Sequence, residues 1–138
     1  MAAGTACRAA AAGAGCVILA DSNLLIYAIQ PEYGALRVWL AASLPKVSAV
    51  SVVEVLGYHR LNAAERAALE TVFAALDVLY PGPETVRLAV GLRQQRRMSL
   101  GDALIAATAL EYGLRLATHN LRDFDGIAGL DAYSPLAG

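Results

Sequence analysis

Apolar positions in this chain come in short blocks whose spacing changes from block to block, and those changes divide it into alternating strands and helices. Residues 16–20 (CVILA) form a continuous apolar run ending at Asp21, the pattern of a strand buried on both faces of a parallel sheet. Residues 22–28 permit a helix and Pro31 breaks it. Residues 35–44 then place Leu36, Trp39, Leu40 and Leu44 at helical spacing before Pro45 ends the segment. Residues 46–50 read as a second strand. Ser51 and Glu54 have the Ser-x-x-acid spacing of a capping box opening a helix that runs to Arg60. Asn62 caps an amphipathic helix over 63–76, on which Leu69, Val72, Phe73 and Leu76 recur every three to four residues. A strand at 77–80 and the break Pro81-Gly82-Pro83 follow. Residues 84–97 form a helix with a basic end, and Ser99 opens another that runs to Tyr112 and closes on Gly113. Short strands at 114–118 and 129–133 flank a polar loop, 119–125. Strands separated by helices predict an α/β fold, a central, mainly parallel sheet with helices on both faces.

Composition narrows the class further. With 57% hydrophobic and 17% charged residues the chain can bury a core and is no disordered tail. Its 138 residues suit one domain over 16–138, preceded by an Ala/Gly-rich segment, 1–15, that reads as a flexible extension outside the fold. The longest apolar run, 9–20, falls well short of the about 20 residues of a membrane-crossing helix, which predicts a soluble chain. A net charge of −1 excludes the gross basicity of a protein that coats nucleic acid, while leaving room for a local basic face. Cys7 and Cys16 match neither a disulfide framework nor metal-ligand spacing, and predict a reducing, cytoplasmic setting.

In an open α/β sheet, sites form beyond the carboxyl ends of the strands, and acids stand at those places. Asp21 ends strand one, Glu54 follows strand two, Asp102 opens a late helix, and Asp123 and Asp125 lie in the loop after 114–118. Helix capping alone would account for Glu54 and Asp102, a turn cap for Asp21, and solvation for the loop acids. The alternative gathers them into one all-oxygen site. Converging carboxylates repel unless a cation lies between them, and hard Mg²⁺ or Mn²⁺ suits such donors and supports phosphodiester cleavage. Other chemistries fit less well: Ser22, Ser51 and Ser99 have no histidine in evident register, His59 and His119 read as surface residues, and no phosphate loop is present. A phospho-receiver site wants paired acids and a late lysine, whereas Asp21 stands alone and the one lysine is Lys46. Arg93, Arg96 and Arg97 precede the Asp102 helix closely enough to contact RNA phosphates, or they form a solvated helix end. Trp39 belongs with the core; with Leu40, Leu44, Tyr27, Tyr33 and Tyr58 it could instead line a partner groove.

Four stretches carry a resemblance: LADSNLL at 19–25, SAVSVVE at 48–54, LGDALIAATA at 100–109 and LATHNLRDF at 116–124. In this order and spacing the chain resembles the PIN-domain family, most nearly the VapC toxins of type II toxin–antitoxin systems. The resemblance implies a three-layer α/β/α sandwich and an endoribonuclease that uses Mg²⁺ or Mn²⁺ and is neutralised by a VapB-like antitoxin, in a homodimer. By position it makes Asp21, Glu54, Asp102 and Asp123 catalytic, with Asp21, Asp102 and Asp123 on the metal. Asn23, Thr118 and Asn120 stand beside the acids, where they would orient water or a carboxylate. Asn120 occupies a place where the family often has an acid, so Asp123 would supply the missing charge; a catalytically weak RNA- or protein-binding module of the same fold is the alternative.

Overall fold

The computed structural model describes residues 17–136, so the 1–15 segment and both cysteines lie outside the described residues. Its sheet is parallel throughout. β1 (Ile18–Ala20) pairs with β4 (Arg115–Ala117), which pairs with β5 (Ala132–Tyr133), and β2 (Val47–Ser48) pairs with β3 (Val78–Leu79). A bridge between Leu19 and Lys46 joins the two sets: Lys46 N–H donates to Ile18 O at 2.7 Å and Ala20 N–H to Lys46 O at 2.9 Å. The spatial order is therefore β3-β2-β1-β4-β5, and it reverses between β1 and β4.

Side-chain alternation along these strands divides the interior. Ile18 and Ala20 face one helix layer, formed by α1 (Ser22–Ala28), α2 (Gly34–Ser43), α3 (Ala49–Leu56) and α4 (Ala63–Ala74), where Leu24, Leu25, Leu36, Val55, Leu69 and Phe73 are buried. Leu19 and Leu116 face the other, formed by α5 (Pro83–Gln95) and α6 (Leu100–Tyr112), with Phe124 and Ile127 closing its edge. Small residues at Ala103, Ala106 and Ala107 let α6 lie close to the sheet and to α5. The result is the expected three-layer sandwich. Among the described residues, no helix is long and apolar enough to cross a membrane.

Local signals placed most boundaries. Asn62 and Glu65 close a reciprocal capping box at α4, Asn62 Oδ1 accepting from Glu65 N–H at 2.7 Å and Glu65 Oε1 from Asn62 N–H at 3.0 Å. Gly113 ends α6 in the left-handed region, φ 65°. Three expectations are corrected. The strand at 46–50 stops at Ser48, because Ser48 Oγ takes Val50 N–H at 3.0 Å and starts α3 at once. The helix expected to reach Arg60 ends at Leu56, where Gly57 N–H returns to Val53 O and a Cβ on Gly57 would strike that same carbonyl. Leu44 lies outside the helix as its left-handed cap, φ 44°, its N–H bonding Leu40 O and its side chain exposed.

This division predicts the consequences of truncation. Leu19→Ala, at a fully buried site, should lower unfolding free energy by about 2–5 kcal/mol. Leu44→Ala should change it by less than about 0.5 kcal/mol. Denaturant midpoints of the two variants check the contrast, and equal losses would contradict the core assignment.

Candidate active site

Where the strand order reverses, the chain leaving β1 enters the helix layer that packs on Ile18 and Ala20, while the chain leaving β4 turns toward the layer that packs on Leu19. Asp21, directly after β1, is buried at this point. Oδ1 accepts from Ser22 N–H at 2.8 Å, capping α1, and Oδ2 accepts from the Thr118 hydroxyl at 2.8 Å. Thr118, immediately after β4, is itself buried and receives Asn120 N–H at 3.0 Å. The capping reading of Asp21 thus holds but accounts for one oxygen. Asp21 is 4% exposed, and burial pushes its carboxyl up from 3.8 to about 6; the Thr118 and Ser22 hydrogen bonds oppose that shift, and the charges of Asp102 and Glu54 add to it.

Those two acids come from different helices. Ser48 being the cap, Ser51 lies inside α3 and is fully buried, so the expected Ser51/Glu54 capping box is absent. Glu54 Oε1 instead accepts from the Ser22 hydroxyl at 2.7 Å, and Ser51 Oγ lies 2.9 Å from Ser22 Oγ. Asp102 sits in the first turn of α6, where Ser99 Oγ accepts its N–H at 3.1 Å. Its half-buried carboxyl is raised by burial first, then by the charge of Asp123, with Glu54 adding; a Ser99 hydrogen bond opposes. One set of mutual repulsions therefore links all four acids. Among the described residues, no three of them are drawn into a preformed ion cluster. The donors are carboxylate oxygens, with the amide of Asn120 nearby in sequence, which suits a hard divalent cation.

Beside Asp102 and Asp123 lies a cleft of about 430 Å³ rimmed by Arg97 and Arg122. Arg96 is occupied there, its guanidinium reaching the carbonyls of Asp123 and Asp125 and so tying the end of α5 to the loop. Arg93 donates to Met98 O at 3.3 Å. Asn120 borders the turn Leu121–Phe124, its carbonyl accepting from Asp123 N–H at 3.0 Å. Asp123 lines the cleft, while Asp125 enters this network through its backbone carbonyl. Asn23 is half-buried in α1; the hydroxyl reaching the acids is that of its neighbour Ser22. His119 is exposed, edge-on to Tyr27 at 5.0 Å.

Sequence reasoning missed Ser22, Ser51, Arg122 and Gly101. Gly101 precedes Asp102, and a Cβ there would collide with the Glu54 carboxylate. The adjacency of Gly101 to Asp102 was the one available signal.

A family model for the PIN domain matches residues 18–130. The chain belongs to the PIN family. Ribonuclease VapC10 of Mycobacterium tuberculosis is 35% identical over 118 residues, 78% of this chain and 86% of that one. Two solved PIN-fold neighbours are similar in structure. A toxin–antitoxin complex from Klebsiella pneumoniae matches at TM-score 0.68 with 27% identity, over 86% of this chain and 97% of the other. DNA-bound VapBC from Salmonella typhimurium matches at TM-score 0.76 with 22% identity, over 87% and 98%.

The raised Asp21 carboxyl predicts a pH dependence of stability. Between 3.8 and about 6 the folded chain holds a proton that the unfolded chain has released, so stability falls as pH rises through that window, by about 3 kcal/mol for this group. Denaturation from pH 4 to 7 in chelator should show that decline in the wild type and a flatter profile in Asp21→Asn. Parallel profiles would contradict the assignment.

Proposed function

We propose that this chain is the ribonuclease toxin of a toxin–antitoxin pair, a cytoplasmic hydrolase that cleaves RNA phosphodiester bonds at the acid cluster with Mg²⁺ or Mn²⁺ bound. The observation that carries the reading is the chain of contacts that brings acids of three separate elements together: Ser22 holds both Asp21 and Glu54, Glu54 lies against Gly101 beside Asp102, and Asp102 and Asp123 line one cleft. Helix capping does not require such a meeting. The VapC ribonuclease relative and the toxin–antitoxin structural neighbours support the same reading.

Asp21, Asp102 and Asp123 are the residues that would hold the cation, and Thr118 fixes the rotamer of Asp21. When bound, the cation supplies Lewis acidity at a phosphate oxygen and a water of lowered pKa. Glu54, exposed and held by Ser22, is the residue that would orient an attacking water or take its proton. Arg97 and Arg122 flank the acids with guanidinium groups suited to phosphate, steering a polyanion toward an acidic centre. Arg93 and Arg96, also expected to contact RNA, make backbone hydrogen bonds, so their part is to hold the rim.

The VapB-like antitoxin is proposed to lay an apolar segment in the groove of about 630 Å³ between α2 and α4, where Leu40, Leu44, Val72 and Leu76 meet. Exposed Val86, Val90 and Leu100 on α5 and α6 support a homodimer.

Purified chain should cleave RNA with Mg²⁺ or Mn²⁺ and stop in excess EDTA; cleavage persisting in EDTA would contradict the metal reading. Asp21→Asn and Asp102→Asn should each cost on the order of a hundredfold or more in rate while remaining folded. Asp123→Asn should raise the cation concentration needed for half-maximal rate and approach the wild-type rate at saturation. An unchanged requirement in Asp123→Asn, with loss in Asn120→Ala, would move that role to the amide.

A further inference from the structure

Ser22 is the joint between two acids. Its backbone N–H holds Asp21 Oδ1 at 2.8 Å and its hydroxyl holds Glu54 Oε1 at 2.7 Å. A serine hydroxyl has one proton, so with that proton on Glu54 the 2.9 Å contact to Ser51 has the Ser51 hydroxyl donating to Ser22 Oγ. Ser51 and Glu54 are three residues apart on one face of α3, which brings Ser22, at the start of α1, between them. Ser51 and Ser22 are both buried, where water does not substitute for a lost donor. On its far side the Glu54 carboxylate lies against the bare Cα of Gly101, in the first turn of α6.

We propose that Ser51 is a positioning residue for Glu54, acting through Ser22, and that Gly101 is the opposing wall of the same cradle. The proposal rests on the ribonuclease reading only for its kinetic consequence; the cradle itself is a claim about where one carboxylate stands. The Ser51 hydroxyl stands one hydrogen bond removed from the Glu54 carboxylate, on Ser22. It donates into Ser22 Oγ and so holds the Ser22 side chain in the rotamer that keeps the Ser22 proton on Glu54; in Ser51→Val, Ser22 Oγ loses that donor and the rotamer is released. Three elements thereby set one side chain, with α1 and α3 supplying the hydrogen bonds and α6 the space. The Ser51-x-x-Glu54 spacing, which reads as a cap, is thus explained by a contact reaching Glu54 through another helix.

Two pairs of variants test this in purified full-length protein, with a fluorogenic RNA of mixed sequence and saturating Mn²⁺ as the kinetic probe. Ser51→Thr and Ser51→Val are nearly equal in volume and differ in the hydroxyl. Thr should keep the wild-type kcat, and Val should lose about fivefold to tenfold in kcat with KM unchanged. In a Glu54→Gln background the difference between Thr and Val should vanish. Gly101→Ala should keep or slightly raise the thermal midpoint, since Ala favours helix, while lowering kcat by a similar factor. Crystal structures of Ser51→Val and Gly101→Ala supply a readout independent of activity, with Glu54 Oε1 displaced beyond hydrogen-bond distance of Ser22 Oγ. A carboxylate left in place in both structures, or equal kcat for Thr and Val, would overturn the proposal. Absence of Mn²⁺-dependent cleavage in the wild type would overturn the ribonuclease reading instead, leaving the cradle to be judged by the crystal structures.

Discussion

A carboxyl group taken out of water at the end of β1 is the constraint to which the rest of the site answers. Burial disfavours ionised Asp21, and only directed donors at fixed positions make the charged form tolerable there. Two are present, each tied to the sheet. Ser22 N–H is fixed by the start of α1, and the Thr118 hydroxyl by its place directly after β4. Both depend on β1 and β4 being neighbours in parallel register, Ala20 opposite Ala117, so that the residues following the two strands emerge side by side. Strand order is thereby converted into the geometry of one carboxylate.

Around that fixed group the other acids are graded outward. Asp102 is half-buried and fixed by a capped helix, whereas Glu54 and Asp123 are exposed. Asp123 rides on a loop that Arg96 ties to the end of α5 through two backbone carbonyls. The inner acids owe their positions to the core, and the outer ones to a few hydrogen bonds. On the proposed function, the inner pair would set where a cation sits and the outer pair would tune how tightly it is held and how water is presented.

Much of this was legible because it is local. The run at 16–20 closing on Asp21, the Asn62/Glu65 box, and the helix from Ser99 to Gly113 each rest on contacts within a few residues, which spacing reports directly. The two Ser-x-x-acid motifs show where that legibility stops. Around Asp102 the motif is a cap, as spacing implies. Around Glu54 it is not, because Ser48 competes for the free N–H groups three residues earlier and leaves Ser51 inside the helix. Ser22, Gly101 and Arg122 were missed for a related reason: their partners lie on other elements, at distances that only the packed sheet defines.

On the proposed function these acids form one site whose mutual repulsion a divalent cation would relieve. Thermal unfolding at pH 7.5, with and without millimolar Mn²⁺ and at matched ionic strength in K⁺, tests it without requiring a substrate. A ligand bound only by the folded chain must raise the midpoint. The midpoint should rise by several degrees with Mn²⁺ in the wild type and stay unchanged in Asp102→Asn. A midpoint indifferent to Mn²⁺, or an equal increase in Asp102→Asn, would contradict the single site.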